Sequence, residues 1–341
     1  MRRFLTRIGL FIAIPLSMLA ILFVATDPYK VLKPFSLDYF DITNRDYLSS
    51  ELFLLNYPEQ KYDSYIFGSS RGCGINTYHW AKYLPNDSKP FLFQGWSETL
   101  TGIEQKIDYI DKSGYELNNA IVLIDIPGTF DLNQRPKDAL SIKDPSISGQ
   151  PKWIHRLILF YDFIQKPSQW VSAAKRYAKP LPIEISFDIV SNDWDANNKY
   201  RDLSVPPKKD SLKNMSSISR NAFLKEIADK TDADVKRSAS LITGHFIKQL
   251  VHIKEIFDKK GTNYRILITP GFCFTSYAIS SEDLSFLRQL FGARNVFDFS
   301  GKNVLSADYN NYSDSGHFGQ YVGWYMIEEM YNESCIPVRE H

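Results

Sequence analysis

Two short runs carry residues whose types and spacing could do chemistry together. The first is Ile66-Phe67-Gly68-Ser69-Ser70-Arg71-Gly72, which closes an apolar strand pattern and leads within a few residues to a helix pattern. A serine there presents its hydroxyl at the carboxyl end of a strand, where open α/β sheets bind ligands. The backbone N–H of Ser70, near a helix N-terminus, could hold an oxyanion formed by attack of its own side chain. The same run also reads as a Gly/Ser turn whose hydroxyls cap a helix. A phosphate loop is a third reading, but no Gly-Lys-Ser/Thr follows. The second run is Tyr312-Ser313-Asp314-Ser315-Gly316-His317-Phe318-Gly319. Asp314 stands three residues before His317, so its carboxylate can fix one imidazole tautomer and stabilise the imidazolium, leaving the other nitrogen for a serine proton. An Asp helix cap beside an incidental His is the bland alternative.

These runs need rigid elements to bring them together. Hydrophobic patterning predicts strands at 62–68, 90–95, 120–126, 264–270 and 296–299. Helices are predicted from about residue 77, from an N-cap at Ser97 to about 114, and over 241–259 before Gly261. Two more cover 282–291 and 318–332. The run 120–126 is almost wholly apolar, as expected of a strand buried on both faces. Strand and helix alternate, which predicts an α/β fold: a three-layer sandwich around a mainly parallel five-stranded sheet of flavodoxin type. Residues 130–240 break this rhythm with one helical stretch from 153 to about 178, kinked or split at Pro167. Polar runs follow at 192–199 and 206–210. The stretch reads as an insertion over one face of the sheet, inside a single domain spanning 61–335.

The 341-residue chain balances 40 Lys and Arg against 39 Asp and Glu. A net charge of +1 excludes the electrostatic footprint of a nucleic-acid binder, and it suits a neutral glycan ester better than a strongly anionic polymer. Three cysteines, Cys73, Cys273 and Cys335, are too few for a disulfide framework. The 20 Tyr and 23 Phe suggest a large core and surfaces that could stack on carbohydrate. One asymmetry hides in these averages: residues 8–26 contain no charged side chain. At ~1.5 Å per residue they can just cross a hydrocarbon core of ~30 Å. Arg2, Arg3 and Arg7 precede the run, while Asp27, Lys30 and Lys33 follow it. That bias predicts a single-pass anchor over 1–26 with its N-terminus in the cytoplasm, a juxtamembrane segment over 27–60, and the rest outside. A cleaved signal peptide is the rival, although Ala25-Thr26 makes a poor cleavage site.

Other residues fit blander roles. His79 lies nine residues after Ser70 and is a rival base, but suits a helix surface. His245 and His252 could share a helix face, yet no third ligand stands at metal spacing, so no metal is expected. His155 reads as structural. Cys73, three residues from Ser70, reads as a packed thiol. Trp80, Trp96 and Trp194 are either core or platforms for sugar rings.

Taken together, Gly68-Ser69-Ser70 after the first strand and Asp314-x-x-His317 before the last helix resemble the SGNH/GDSL hydrolase superfamily. The likeness covers about 62–128 and 241–332. It implies Ser70 as nucleophile, His317 as base and Asp314 as its orienter, with no cofactor. Its second block would put an oxyanion-hole N–H near Gly95, although Glu98 stands where that block has a second glycine. Its third block ordinarily carries an Asn; here Phe130 takes that place, removing one side-chain donor. Ser69, Arg71, Glu98 and Asp125 are the residues left to bind substrate or to substitute. The Gly-Ser-Ser run and the anchor resemble one branch in particular, the membrane-tethered proteins that acylate bacterial envelope polymers. That implies a serine-dependent acyl esterase or acyltransferase working on a cell-envelope glycan beside a multi-pass membrane acyltransferase. The lost Asn leaves a second expectation, a non-catalytic relative that binds a glycan or that partner.

Overall fold

The computed structural model describes residues 1–35, 45–132, 142–178, 187–194, 207, 225 and 235–331. Its longer helices are α1 (Arg2–Thr26), α2 (Arg45–Gln60), α3 (Leu100–Lys112), α4 (Lys152–Gln165), α5 (Pro167–Ala178), α6 (Gly244–Lys260), α7 (Ser281–Phe291) and α8 (Gln320–Tyr331). The five strands of the main sheet are β1 (Ser64–Gly68), β2 (Pro90–Gln94), β3 (Asn119–Ile124), β4 (Asn263–Ile268) and β5 (Val296–Asp298). They run parallel in the order 2-1-3-4-5. The order reverses between β1 and β3, the kind of switch point beyond which doubly wound sheets bind their ligands. A further parallel pair joins Lys236–Arg237 to Tyr277–Ala278.

The sheet is buried because its strands are apolar on both faces. From β1 and β2, the rings of Tyr65, Phe91 and Phe93 gather around Phe53 of α2, with Phe53 and Phe93 stacked at 4.8 Å. Ile66 and Leu92 point the other way, into a cluster with Trp80 and with Val322, Met326 and Ile327 of α8. Much of the aromatic content is thus core; Trp80 is wholly buried and touches no solvent. β2 is an edge strand, and an unpaired edge invites aggregation. Residues 191–192 cover it: the Leu92 N–H donates to the Ser191 carbonyl (2.9 Å) and Asn192 Nδ2 donates to the Leu92 carbonyl (2.7 Å).

The chain divides into two compact units, Met1–Glu51 with Gln134–Ile185, and Leu52–Asn133 with Ser186–His341. This differs from the expected single domain with a polar insertion. Helices α4 and α5, split at Pro167 as predicted, belong with α1, because their apolar faces need a partner and Phe23 supplies one. Phe23 packs at 5.3 Å from Phe160 and 5.5 Å from Phe163, beside Leu159 and Ala173. The predicted juxtamembrane segment contains α2, which the division cuts. The described insertion residues 187–194 and 235–240 belong instead to the sheet unit. Cys335 and most of the two polar runs, residues 195–199, 206 and 208–210, lie outside the described residues. In α1, Thr6–Thr26 is long and apolar enough to cross a membrane, and only 6% of its most apolar stretch is buried. A signal sequence passes the same test of length and composition.

Candidate active site

Ser70 follows β1 directly. The strand ends at Gly68, Ser69 caps the next turn by accepting the Arg71 N–H (3.2 Å), and Ser70 opens a 3-10 helix over Ser70–Gly74. The expected longer helix from residue 77 is only Thr77–Trp80, capped by Asn76. As first residue of its turn, Ser70 has an N–H with no intrahelical acceptor, and it bonds to no carbonyl among the described residues.

His317 comes to Ser70 from the far end of the chain. Ser70 Oγ and His317 Nε2 lie 2.8 Å apart, although 247 positions separate them in sequence. His317 Nδ1 lies 2.8 Å from Asp314 Oδ2 and 2.9 Å from Oδ1. An ionised carboxylate only accepts, so Nδ1 carries the ring proton and Nε2 accepts from the Ser70 hydroxyl. The capping alternative for Asp314 is also true: its Oδ1 accepts the N–H groups of Gly316 (2.8 Å) and His317 (2.9 Å). Burial works against its charge, but the His317 bond and these N–H groups draw the carboxyl below its ordinary value. The imidazole and the carboxylate are about half exposed, at 46% and 51%, so a substrate can reach them.

Close packing fixes this geometry. Gly323 of α8 lies against Gly74; a Cβ on Gly323 would meet the Gly74 carbonyl oxygen at 1.8 Å. A Cβ on Gly74 would in turn meet the Phe318 ring at 2.5 Å. The two glycines let α8 and the loop before it press onto the turn that carries the nucleophile. An antiparallel bridge between Tyr312 and Phe318 closes the loop holding Asp314 and His317.

Beneath the serine, the ends of β1, β3 and β4 are tied by Asp125. Its carboxylate accepts the Ser69 hydroxyl and the Thr269 hydroxyl (2.5 Å), and its N–H donates to Thr129 Oγ1 (2.8 Å). Arg71 Nη1 donates to Thr269 (2.8 Å) and stands 3.7 Å from Asp125. The Arg71 guanidinium also reaches the loop of His317, passing 3.4 Å from where a Gly316 Cβ would be. Ser69, Asp125 and Arg71 therefore brace the site through one another. Thr269 belongs to this group and was missed by pattern reading. The available signal was a polar residue directly after an apolar parallel strand, the same position that Ser69 and Asp125 hold.

Four expectations need correction, those for Gly95, Glu98, Ser97 and His79. The Gly95 N–H is not aimed at an oxyanion; it donates to the Gly68 carbonyl (3.0 Å), continuing the β1–β2 pairing beyond the strand ends. Glu98 is no substrate ligand, because it is fully buried in a 2.5 Å ion pair with equally buried Lys106. The N-cap of α3 is Thr99, while Ser97 takes a left-handed turn (φ 51°). Phe130 has turned inward against Phe246 (5.3 Å), so its place serves packing. Gln94, at the end of β2, is fully buried; its Oε1 accepts from Cys73 (3.2 Å), and its Nε2 has no hydrogen-bond partner among the described residues. His79 is buried 2.8 Å from Glu328 and stacked on Trp324, away from any role as base. His252 bonds Asp108 (2.7 Å), and no group of metal-ligating side chains occurs among the described residues.

What emerges is an α/β protein with a Ser–His–Asp chain beyond the carboxyl ends of a parallel sheet. No family model matches the chain, and no curated protein resembles it in sequence.

Proposed function

We propose that the protein is a serine-dependent acyl esterase or acyltransferase, tethered to the cytoplasmic membrane by α1 and acting outside it on O-acyl groups of a cell-envelope glycan. The observation that carries this reading is the continuous Ser70–His317–Asp314 hydrogen-bonded chain. In it, His317 takes the Ser70 proton as Oγ attacks an acyl carbonyl, and Asp314 holds the resulting imidazolium. The tetrahedral oxyanion meets the Ser70 N–H. His317 then returns the proton to the leaving alcohol, and water or a sugar hydroxyl releases the acyl group from Ser70. The likeness to the membrane-tethered SGNH branch supports the glycan and the multi-pass acyltransferase partner. Trp96 and Trp194, half-buried with ring centroids 6.4 Å apart next to Gly95, offer a stacking surface for sugar rings.

One observation favours a second reading, a non-catalytic glycan- or partner-binding protein: with Gly95 engaged and Phe130 packed inward, the oxyanion has a single evident donor. A membrane-impermeant fluorophosphonate applied to spheroplasts separates the two. The catalytic reading expects covalent labelling that disappears in Ser70→Ala and falls by at least ~10³-fold in rate in His317→Ala. A folded chain that resists labelling supports the binding reading. Labelling only after lysis overturns the outward orientation.

A further inference from the structure

The first unit contains a cavity that acyl transfer does not use. Asp27 ends α1 in the left-handed region (φ 42°), and its carboxylate accepts the N–H groups of Val31 and Lys33, both at 2.9 Å. The turn so formed is one wall of a cavity of about 340 Å³, within the size range of small-molecule sites. A second wall is α4, through Lys152, His155 and Arg156. Glu51 of α2 and Asp144 complete it, the latter held by its N–H bond to Ser50 (2.9 Å).

The lining is charged in both signs. Among the described residues, the Lys33 and Lys152 ammonium groups make no salt bridge. Among the described residues, Arg156 donates only its Nε–H, to the Val31 carbonyl (3.3 Å). His155 is 2% exposed, and its Nδ1 lies buried without a hydrogen-bond partner. A buried polar atom of this kind ordinarily has one. Burial, then the neighbouring Asp144 charge, push the Glu51 carboxyl up to about 7 against the Tyr47 hydroxyl and the Lys152 charge.

The surroundings say what reaches this cavity. Opposite its buried stripe of His155, Leu159 and Phe163, α4 exposes Trp153, Leu157 and Tyr161 at four-residue spacing. This exposed stripe belongs to a helix packed on Phe23, within the last turn of the apolar span. Trp and Tyr with basic neighbours at the end of a span are the residues that settle at a membrane–water interface.

We propose that the cavity holds the zwitterionic headgroup of a phosphatidylethanolamine-class lipid, its phosphate against Lys33, Lys152 and Arg156 and its ammonium against Glu51 and Asp144, with the acyl chains along Trp153, Leu157 and Tyr161. The assignment rests on α1 being a membrane span, and is independent of the chemistry at Ser70. The carboxyls disfavour an anionic glycerol headgroup, and a choline headgroup lacks the N–H donors that they accept.

The test uses the full chain in nanodiscs of mixed phosphatidylethanolamine, phosphatidylcholine and phosphatidylglycerol, with the lipid retained after extraction read by native mass spectrometry. Phosphatidylethanolamine should be enriched about fivefold over its bulk share, the worth of about one net hydrogen bond. Lys152→Gln combined with Arg156→Gln should return the ratio to bulk, whereas Lys175→Gln, exposed on α5 outside the cavity, should leave it unchanged. Retention at the bulk ratio, or enrichment that survives the double variant, overturns the proposal. Saturable binding of soluble O-phosphoethanolamine without any lipid enrichment overturns the lipid source. A chain that alkaline carbonate releases from membranes overturns the reading of α1 itself, an outcome separate from bulk-ratio retention by a chain that stays embedded.

Discussion

At the residue scale, the decisive feature is that Asp314 does two jobs with one carboxylate. It pins the backbone at Gly316 and His317 and it holds the imidazole. Replacing it by Asn keeps the cap, because the amide oxygen still accepts N–H groups, but presents the ring with a group that can also donate. The wrong tautomer then faces Ser70. Asp314→Asn should therefore lower kcat on a small acetyl ester by ~10³–10⁴-fold with little change in KM or melting temperature. A loss confined to stability would mean that Asp314 is only a cap. The Asp125 network makes a complementary point. Side chains that look like substrate ligands in sequence are here engaged with one another, because each sits at the end of a buried strand where an unpaired polar group is costly.

At the scale of elements, the site depends on how near α8 comes to the turn after β1. Only two glycines permit that approach, and neither has an unusual φ; the constraint is space alone. Gly323→Ala adds one methyl group where 1.8 Å separates it from a carbonyl oxygen, so the helix must shift. A misplacement of about 1 Å is enough to cost ~10²-fold in rate. We expect Gly323→Ala to fold with lowered stability and to lose at least that factor in esterase turnover and in fluorophosphonate labelling. Unchanged labelling would show that the helix does not position His317. The edge strand β2 teaches a similar lesson. Its partner, the segment around Ser191, comes from a stretch whose composition reads as a solvated insertion.

For the whole molecule, one buried group ties stability to pH. Asp193, in the segment that covers β2, is completely buried and accepts the Thr77 hydroxyl (2.7 Å) and N–H (3.1 Å). Burial outweighs those bonds and raises its carboxyl from 3.8 to about 7. The folded state therefore keeps a proton that the unfolded chain has already released. Its contribution is fully favourable below the unfolded value, falls as pH rises toward about 7 and is constant above. Asp193→Asn removes the ionisation and keeps the acceptor. Its melting temperature relative to the parent should rise between pH 4 and pH 7 and then level off. A difference that does not depend on pH would show that Asp193 does not titrate in this window.

The amino-acid sequence by itself determined the strands, the parallel α/β class, the apolar helix at the N-terminus and the two runs that bear Ser70, Asp314 and His317. Each of these is written in local periodicity or in the spacing of a few neighbouring residues. Tertiary structure decided the rest. That Gly95 donates to Gly68 follows from strand register, which no local pattern states. That Glu98 is a core ion follows from Lys106, eight positions away, turning inward with it. The helices at 152–178 reveal only that they have an apolar side; Phe23 becomes their partner through contacts across more than a hundred residues of chain. The 2.8 Å between Ser70 and His317 is likewise a property of packing. Two glycines and a phenylalanine set it, and in sequence they look like any others.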